Sequence, residues 1–391
     1  FRPAAVSAGL YIGLMSGTSA DGVDAVLLDV SAARIHTLAM ASVPFPQALR
    51  QAIHDLREPG SDELARAAGV ANRIAELYAE AVQQLLTQSG HHPGEVIALG
   101  AHGQTVRHRP EQGYTLQLLN AALLAERTGI AVVHDLRSAD VAAGGQGAPL
   151  VPAFHANVFA SHDLSRAIVN IGGIANVSLI APSGAPAVAH PEIQAQPPVL
   201  GHDTGPGNTL LDAWNARHQG TPHDEAGAWA AGGKVHPRLL ETLLSDPYFS
   251  LRPPKSTGQD HFNATWLERA LASLPNPDNI EPRDVQATLA ELTALTIAQA
   301  CQGRVDEVFL CGGGVFNADL IRRIERLLPG LKVDTTSALG IEPMAVEAAA
   351  FAWLAYRRVA GLAGNLPAVT GAAGERVLGA ITDPGGRLRA R

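Results

Sequence analysis

The sequence predicts an α/β protein built of two similar domains. Strands alternate with helices along most of the chain. Near residue 166 the opening order of strand, glycine turn, strand starts again. The chain has 391 residues, and at about 150 residues per domain that length gives two domains or three. The second half repeats the first in its order of elements, without recognisable repetition of residues.

The elements follow from the residues in turn. Gly9 to Met15 is apolar, Ser16 to Gly22 small and polar, Val23 to Val30 apolar again, and a third strand runs from Ile35 to Val43. Short turns between three such runs predict an antiparallel meander. Ser61 to Gln88 has a helical period, with Leu64, Ala68, Ala71, Ile74, Leu77 and Tyr78 on one face and Asp62 and Glu63 in the first turn. Val96 to Gly100 is a buried strand, and a further helix and strand lead to His134-Asp135-Leu136-Arg137. In the second half Arg166–Asn170 and Ala175–Ile180 are strands around Ile171-Gly172-Gly173-Ile174. Val199-Leu200 then runs into a loop at Asp203-Thr204-Gly205-Pro206-Gly207-Asn208 and a helix. Helices dominate to Cys301. After them come a strand at Val305–Leu310, Cys311-Gly312-Gly313-Gly314, a helix at Asn317–Leu328 and a last helix at Pro343–Val359. Pro182 to Pro198, rich in Pro and Ala, reads as an exposed connection. The expected division is 1–140 for the first domain, completed by the helix near 343–359, 141–342 for the second, and 360–391 for a C-terminal extension.

Composition narrows the class. Hydrophobic residues make up 46 % and charged residues 17 %, which is globular rather than disordered. A net charge of −8 does not favour nucleic acid or an anionic membrane as partner. Cys301 and Cys311 form no CxxC pair and suit buried positions in a reducing cytoplasm. No apolar run approaches the ~18 residues of a membrane span. Phe1 to Ala8 lacks the pattern of a signal peptide, and the lack of Met at position 1 suggests residues ahead of it.

Three glycine loops follow apolar strands. In Met15-Ser16-Gly17-Thr18-Ser19-Ala20-Asp21-Gly22-Val23-Asp24 the glycines permit a nest of backbone N–H groups for a phosphate, and Thr18 and Ser19 add hydroxyl donors; the alternative is a plain hairpin turn. Gly172-Gly173 is a second phosphate turn or a tight bend. Gly312-Gly313-Gly314, ahead of Asn317, lets a flat ring approach the backbone or merely joins strand to helix. As a set they predict a nucleotide in a cleft between two domains. Other nucleotide and metal patterns are missing: Gly233-Lys234 is followed by Val235 rather than Ser or Thr, Gly205-Pro206-Gly207-Asn208-Thr209-Leu210 has Leu at the third glycine position, and there is no HExxH. Asp203, at a strand end facing a ligand crevice, is the candidate base or else a helix cap. Glu342 either accepts hydrogen bonds from a sugar or complements a helix N-terminus. Arg137 either forks onto a carboxylate or makes a surface ion pair.

Gly13-Leu14-Met15-Ser16-Gly17-Thr18-Ser19-Ala20-Asp21-Gly22-Val23-Asp24 resembles the opening signature of the anhydro-N-acetylmuramic acid kinase family. His102-Gly103-Gln104-Thr105, His134 to Ala142, Gly144 to Pro152, Asn170 to Asn176, Asp203 to Asn208, Pro254 to Gly258, Cys311 to Gly314 and Gly340 to Pro343 resemble the same family in the same order. Together they span about Tyr11 to Tyr356. The resemblance implies two ribonuclease-H-like domains of the actin, hexokinase and Hsp70 type. It implies ATP-dependent opening of a 1,6-anhydro amino sugar with phosphorylation at O6, in peptidoglycan recycling, by a cytoplasmic homodimer. Asp203 is then the base, and Glu342 stands with it among the catalytic residues. Gly17 through Asp24, with Gly172, Gly173, Gly312, Gly313, Gly314 and Asn317, bind ATP. Gln104, Thr105, Arg137, Asp140 and Glu342 touch the sugar. Mg²⁺ is expected mainly on the ATP phosphates, because it keeps several waters and rarely needs a full protein cage, with Asp21 or Asp24 holding a coordinated water. The first loop lacks the leading Asp of the wider superfamily, so no metal-positioning role carries over from it. Rival readings are a kinase for levoglucosan or a plain hexose, and a non-enzymatic sugar-binding regulator, for which the sequence shows no basic DNA-binding segment. An Hsp70-like interaction protein would need a binding domain beyond Val359, and the tail there is short.

Overall fold

The structure is a computed structural model, and it describes residues 8–17, 20–30, 35–184, 199–253, 255–275 and 279–385. The chain divides into one unit of Phe1–Phe154 with Ala345–Arg391 and another of His155–Met344. The division falls after Phe154 rather than near residue 140.

In the first unit the strands are β1 (Gly9–Met15), β2 (Gly22–Val30), β3 (Ile35–Pro44), β4 (Val96–Ala101), a separate hairpin of β5 (Gln104–Arg109) and β6 (Tyr114–Leu118), and β7 (Val132–His134). In the second they are β8 (Arg166–Ile171), β9 (Ile174–Ile180), β10 (Val199–Pro206), β11 (Glu307–Cys311) and β12 (Lys332–Thr335). A last strand, β13 (Ala380–Thr382), pairs with β7, so the segment after residue 360 extends the first sheet and is not a separate appendage. The sheets run β13-β7-β4-β1-β2-β3 and β10-β9-β8-β11-β12. In each unit the first strand pairs antiparallel with the second, the second antiparallel with the third, and the fourth and fifth join parallel on the other side. This shared order, 3-2-1-4-5, is a ribonuclease-H-like arrangement, present once in each unit.

Strand alternation explains the cores. Ile12 and Leu14 of β1 and Val23, Ala25 and Leu27 of β2 meet Val70, Ile74, Tyr78 and Leu85 of the Glu63–Ser89 helix. The opposite face of β1 and β4 carries the Val346–Val359 helix at very close range. A methyl placed on Gly13 would overlap the carbonyl of Ala348, and one on Gly100 that of Phe351. In the second unit Ala167, Val169 and Ile171 of β8 and Val308 and Leu310 of β11 pack with Ile297 and Cys301 of the Pro282–Cys301 helix and with Leu320 and Ile324 of the Ala318–Leu327 helix. A helical layer around Trp214, Tyr248, Phe262 and Trp266 forms a further core. Cys301 and Cys311 are buried and unbridged. Among the described residues no helix is long and apolar enough to cross a membrane.

Several expectations are corrected. Leu64 is 88 % exposed, because the buried face of its helix starts only at Val70. Asp203 to Pro206 belong to strand β10 rather than to a loop, since their backbone pairs with β9 around a bulge. The Gln47–Asp55 helix, the β5–β6 hairpin and β12 were not read in the sequence. Most of the Pro182–Pro198 connection lies outside the described residues.

Candidate active site

In the first unit Ser16 and Gly17 leave β1 and meet the β4–β5 turn. Ser16 is fully buried, its hydroxyl 2.7 Å from the Tyr78 hydroxyl and donating to the Gly103 carbonyl at 3.0 Å. Gln104 donates from Nε2 to the Gly17 carbonyl at 3.0 Å, and its Oε1 is buried with no hydrogen-bond partner among the described residues. Ala20, with φ of +57°, donates its N–H to the same carbonyl at 3.1 Å. Thr18 and Ser19 lie outside the described residues. Asp21 is exposed, 3.3 Å from Arg50 Nη1. Gly22 and Val23 belong to β2. Gly22 is pressed against β3, where an added methyl would lie 2.6 Å from the Val43 carbonyl oxygen, and the Val23 side chain is in the core. Asp24 faces Met15 in register, accepts from the Ser42 hydroxyl at 2.5 Å, and is raised above its ordinary range because burial disfavours its charge.

The loop after β7 is built around Arg137 and Asp140. Arg137 donates from Nε at 3.1 Å and Nη2 at 2.9 Å to His102 Nε2, and from Nη1 to the Gly147 carbonyl at 2.8 Å. Burial lowers its pKa to about 10, still charged at neutral pH. Asp140 is fully buried and accepts from the Gly147 N–H at 2.8 Å and from Asn365 Nδ2 and Thr370 Oγ1, each at 2.7 Å. That saturated carboxylate organises the loop. Asp140, expected at the sugar, is held in this structure by three protein donors. Thr105 Oγ1 accepts from Gln117 at 3.3 Å.

In the second unit three turns converge on Asn208. The N–H groups of Asn208, Gly207 and Thr209 donate to the carbonyls of Gly172 and Gly173 at 2.8–3.1 Å, and Asn208 Nδ2 donates to the Ile171 carbonyl at 3.1 Å. The second glycine turn therefore caps the Thr209–Gln219 helix through its carbonyls. In the third turn Gly312 has φ of +80° and Gly314 is packed on Ile171, but Gly313 is exposed, and an added methyl would meet only Asn208 Nδ2 at 3.9 Å. Gly172 has similar room, its nearest neighbour the Ile174 carbonyl oxygen at 3.5 Å. Asn317, expected at the nucleotide, caps the Ala318–Leu327 helix, its side-chain oxygen accepting from Leu320 N–H at 3.0 Å.

Asp203 sits at the β10 bulge. Its N–H donates to the Lys255 carbonyl at 3.1 Å, its carbonyl accepts from the Tyr248 hydroxyl at 2.7 Å, and its Oδ2 accepts from the Thr257 N–H at 2.9 Å. Burial raises its pKa, and the Thr257 hydrogen bond opposes the rise. Lys255 Nζ lies 4.5 Å from the Tyr248 ring centroid and donates to the Tyr248 carbonyl at 3.2 Å. Glu342 is exposed and accepts from Ser337 Oγ at 2.9 Å, while the next residue, Pro343, accepts from the Gly312 N–H at 3.1 Å. Sequence reasoning missed Tyr248 and Asn208 as supports and His102 as a partner of Arg137. The last two stood inside quoted segments, but a role that depends on a distant partner leaves no mark in spacing.

The family model for anhydro-N-acetylmuramic acid kinase matches residues 9–384. The chain is 52 % identical over 376 residues to the anhydro-N-acetylmuramic acid kinase of Thiobacillus denitrificans (strain ATCC 25259 / T1), covering 95 % of this chain and 96 % of that protein. It is 50 % identical over 376 residues to that of Nitrosomonas europaea (strain ATCC 19718 / CIP 103999 / KCTC 2705 / NBRC 14298), covering 95 % and 99 %. With Variovorax paradoxus (strain S110) the figures are 52 % over 379 residues, 95 % and 98 %. Matched over nearly all of its length, the chain belongs to the anhydro-N-acetylmuramic acid kinase family.

Proposed function

We propose that the chain uses ATP to open 1,6-anhydro-N-acetylmuramic acid and phosphorylate it, giving N-acetylmuramic acid 6-phosphate and ADP, in the cytoplasmic recycling of peptidoglycan sugars. The observation that carries the chemistry is the Asp203 carboxylate. Among the described residues Thr257 supplies its one hydrogen bond, and its pKa is raised toward the range useful to a base. Asp203 takes a proton from water as the water oxygen bonds to sugar C1. The C1–O6 bond breaks, O6 bonds to the γ-phosphorus, and ADP leaves with the electrons of the broken phosphoanhydride bond. Arg137 holds the lactyl carboxylate of the sugar. Gln104 Oε1, a buried acceptor without a partner among the described residues, suits a sugar donor. The open positions at Gly313 and Gly172 fit a nucleotide lying against the backbone. Mg²⁺ rides on the ATP phosphates, where it would neutralise their charge. Alignment and charge stabilisation supply most of the rate.

ADP release measured with anhydro-N-acetylmuramic acid, N-acetylmuramic acid, levoglucosan and glucose tests the assignment. Only the first should support full turnover, and a preference for glucose would replace the reading with a plain hexose kinase. In H₂¹⁸O the label should enter at C1 and not the phosphate, read by mass spectrometry soon after quenching. Early label in phosphate would mean that water attacks phosphorus and that the protein is an ATPase.

A further inference from the structure

We propose that His102 is a positioning residue for Arg137: its imidazole, anchored through Nδ1 to the Ser16 carbonyl, offers Nε2 as the shared acceptor for two N–H groups of the guanidinium and so aims the rest of that fork at the sugar carboxylate. The inference rests on the reading of Arg137 as the carboxylate contact. Nδ1 lies 3.1 Å from the Ser16 carbonyl oxygen, which can only accept, so the ring proton is on Nδ1 and Nε2 carries a lone pair. That lone pair takes the Arg137 Nε–H at 3.1 Å and an Nη2–H at 2.9 Å.

An arginine has five N–H groups. Two go to His102 and one to the Gly147 carbonyl, which leaves one on each terminal nitrogen for two oxygens of a ligand. The ring itself is held fast. It is buried, its backbone N–H donates to the Leu14 carbonyl at 3.0 Å, and its centroid lies 4.8 Å from that of Phe351. Burial and the neighbouring guanidinium keep it neutral, pushed down to about 3. An imidazolium would have no lone pair for Arg137. Gly147 completes the frame, since its carbonyl takes Arg137 while its N–H is fixed by Asp140. Because Ser16 directly precedes Gly17, the same imidazole links the sugar-binding arginine to the start of the phosphate loop.

The test compares the wild type with His102→Leu, His102→Gln and Arg137→Ala on two anhydro sugars, one bearing the lactyl carboxylate and one lacking it. His102→Leu should raise KM for the carboxylate sugar about tenfold, the scale of one charge-assisted hydrogen bond, while KM for ATP and for the second sugar stays within about threefold. His102→Gln places an amide oxygen near the lost lone pair and should recover most of the preference. An equal rise for both sugars, or no recovery with Gln, overturns the proposal. Should the Leu variant fail to fold by circular dichroism, ¹⁵N shifts of the wild-type imidazole decide: an unprotonated Nε2 supports the proposal and an Nε2–H tautomer refutes it. If Arg137→Ala keeps the preference for the carboxylate sugar, the assignment of Arg137 fails and this inference with it. If that variant loses the preference while His102→Leu keeps it, only the role of His102 fails.

Discussion

Gly313 and Gly314 are neighbours in sequence with opposite tolerance for a side chain. A methyl on Gly314 would overlap Ile171, whereas one on Gly313 meets only Asn208 Nδ2 at 3.9 Å. Gly314→Ala should therefore cost about 1–3 kcal/mol of stability by overpacking, read by denaturant titration. Gly313→Val should leave the fold intact and weaken ATP binding, as titration calorimetry would show. Normal ATP affinity in a folded Gly313→Val protein would make the third turn a connection only. Asp203→Asn should bind both ligands and lose about 10²-fold to 10⁴-fold in kcat, because the amide cannot take the proton. Since only the ionised Asp203 can act as a base and burial raises its pKa, the acid limb of the kcat profile should be displaced upward from the ordinary aspartate value. Full turnover in the Asn variant would move the base elsewhere, Glu342 being the next candidate.

At the scale of elements, the Val346–Val359 helix is the clearest case of sequence and packing constraining each other. Its carbonyls at Ala348 and Phe351 lie where side chains at Gly13 and Gly100 would stand. β1 and β4 can sit beneath this helix only with glycine at those points. Gly100→Ala should cost about 3 kcal/mol, seen as a drop in Tm on the order of 10 °C. An unchanged Tm would mean that the helix shifts freely on the sheet. The positions of Gly13 and Gly100 were legible as strand residues, but not the reason for glycine there, because the helix that imposes it lies more than 200 residues along the chain.

For the whole molecule, buried histidines set the response to acid. His102 and His155 are pushed down to about 3 and His202 to about 4, chiefly by burial. Unfolded, each would titrate near 6.5. Between those limits the unfolded chain binds more protons, so stability is present above about pH 6.5 and falls as pH drops, by up to about 1.4 kcal/mol per pH unit per histidine. Asp212 works the other way. Burial raises it to about 6, and its contribution is lost as pH rises through that value. It therefore offsets about one histidine between pH 4 and 6. Denaturant midpoints measured from pH 7.5 to 4.5 should fall steadily, and a flat series would mean that the histidines titrate normally in the folded state.

The sequence by itself determined most of the strands and helices in order, though not the Gln47–Asp55 helix, the β5–β6 hairpin or β12, and also the repeated opening of the two units and the glycine-rich turns, because hydrophobic period and turn chemistry are local. It also carried the family, through many short segments in one order. Tertiary structure alone decided which protein groups the members of those segments bond to. The family resemblance assigns Asp140 to the sugar and Asn317 to the nucleotide, and only the fold shows that Asp140 also accepts from Gly147, Asn365 and Thr370 and that Asn317 caps a helix. His102 gained its role from Arg137, 35 residues on, and Asp203 its setting from Tyr248 and Thr257. Such pairings depend on which distant strand ends the fold brings together, and nothing in the spacing of residues along the chain records that.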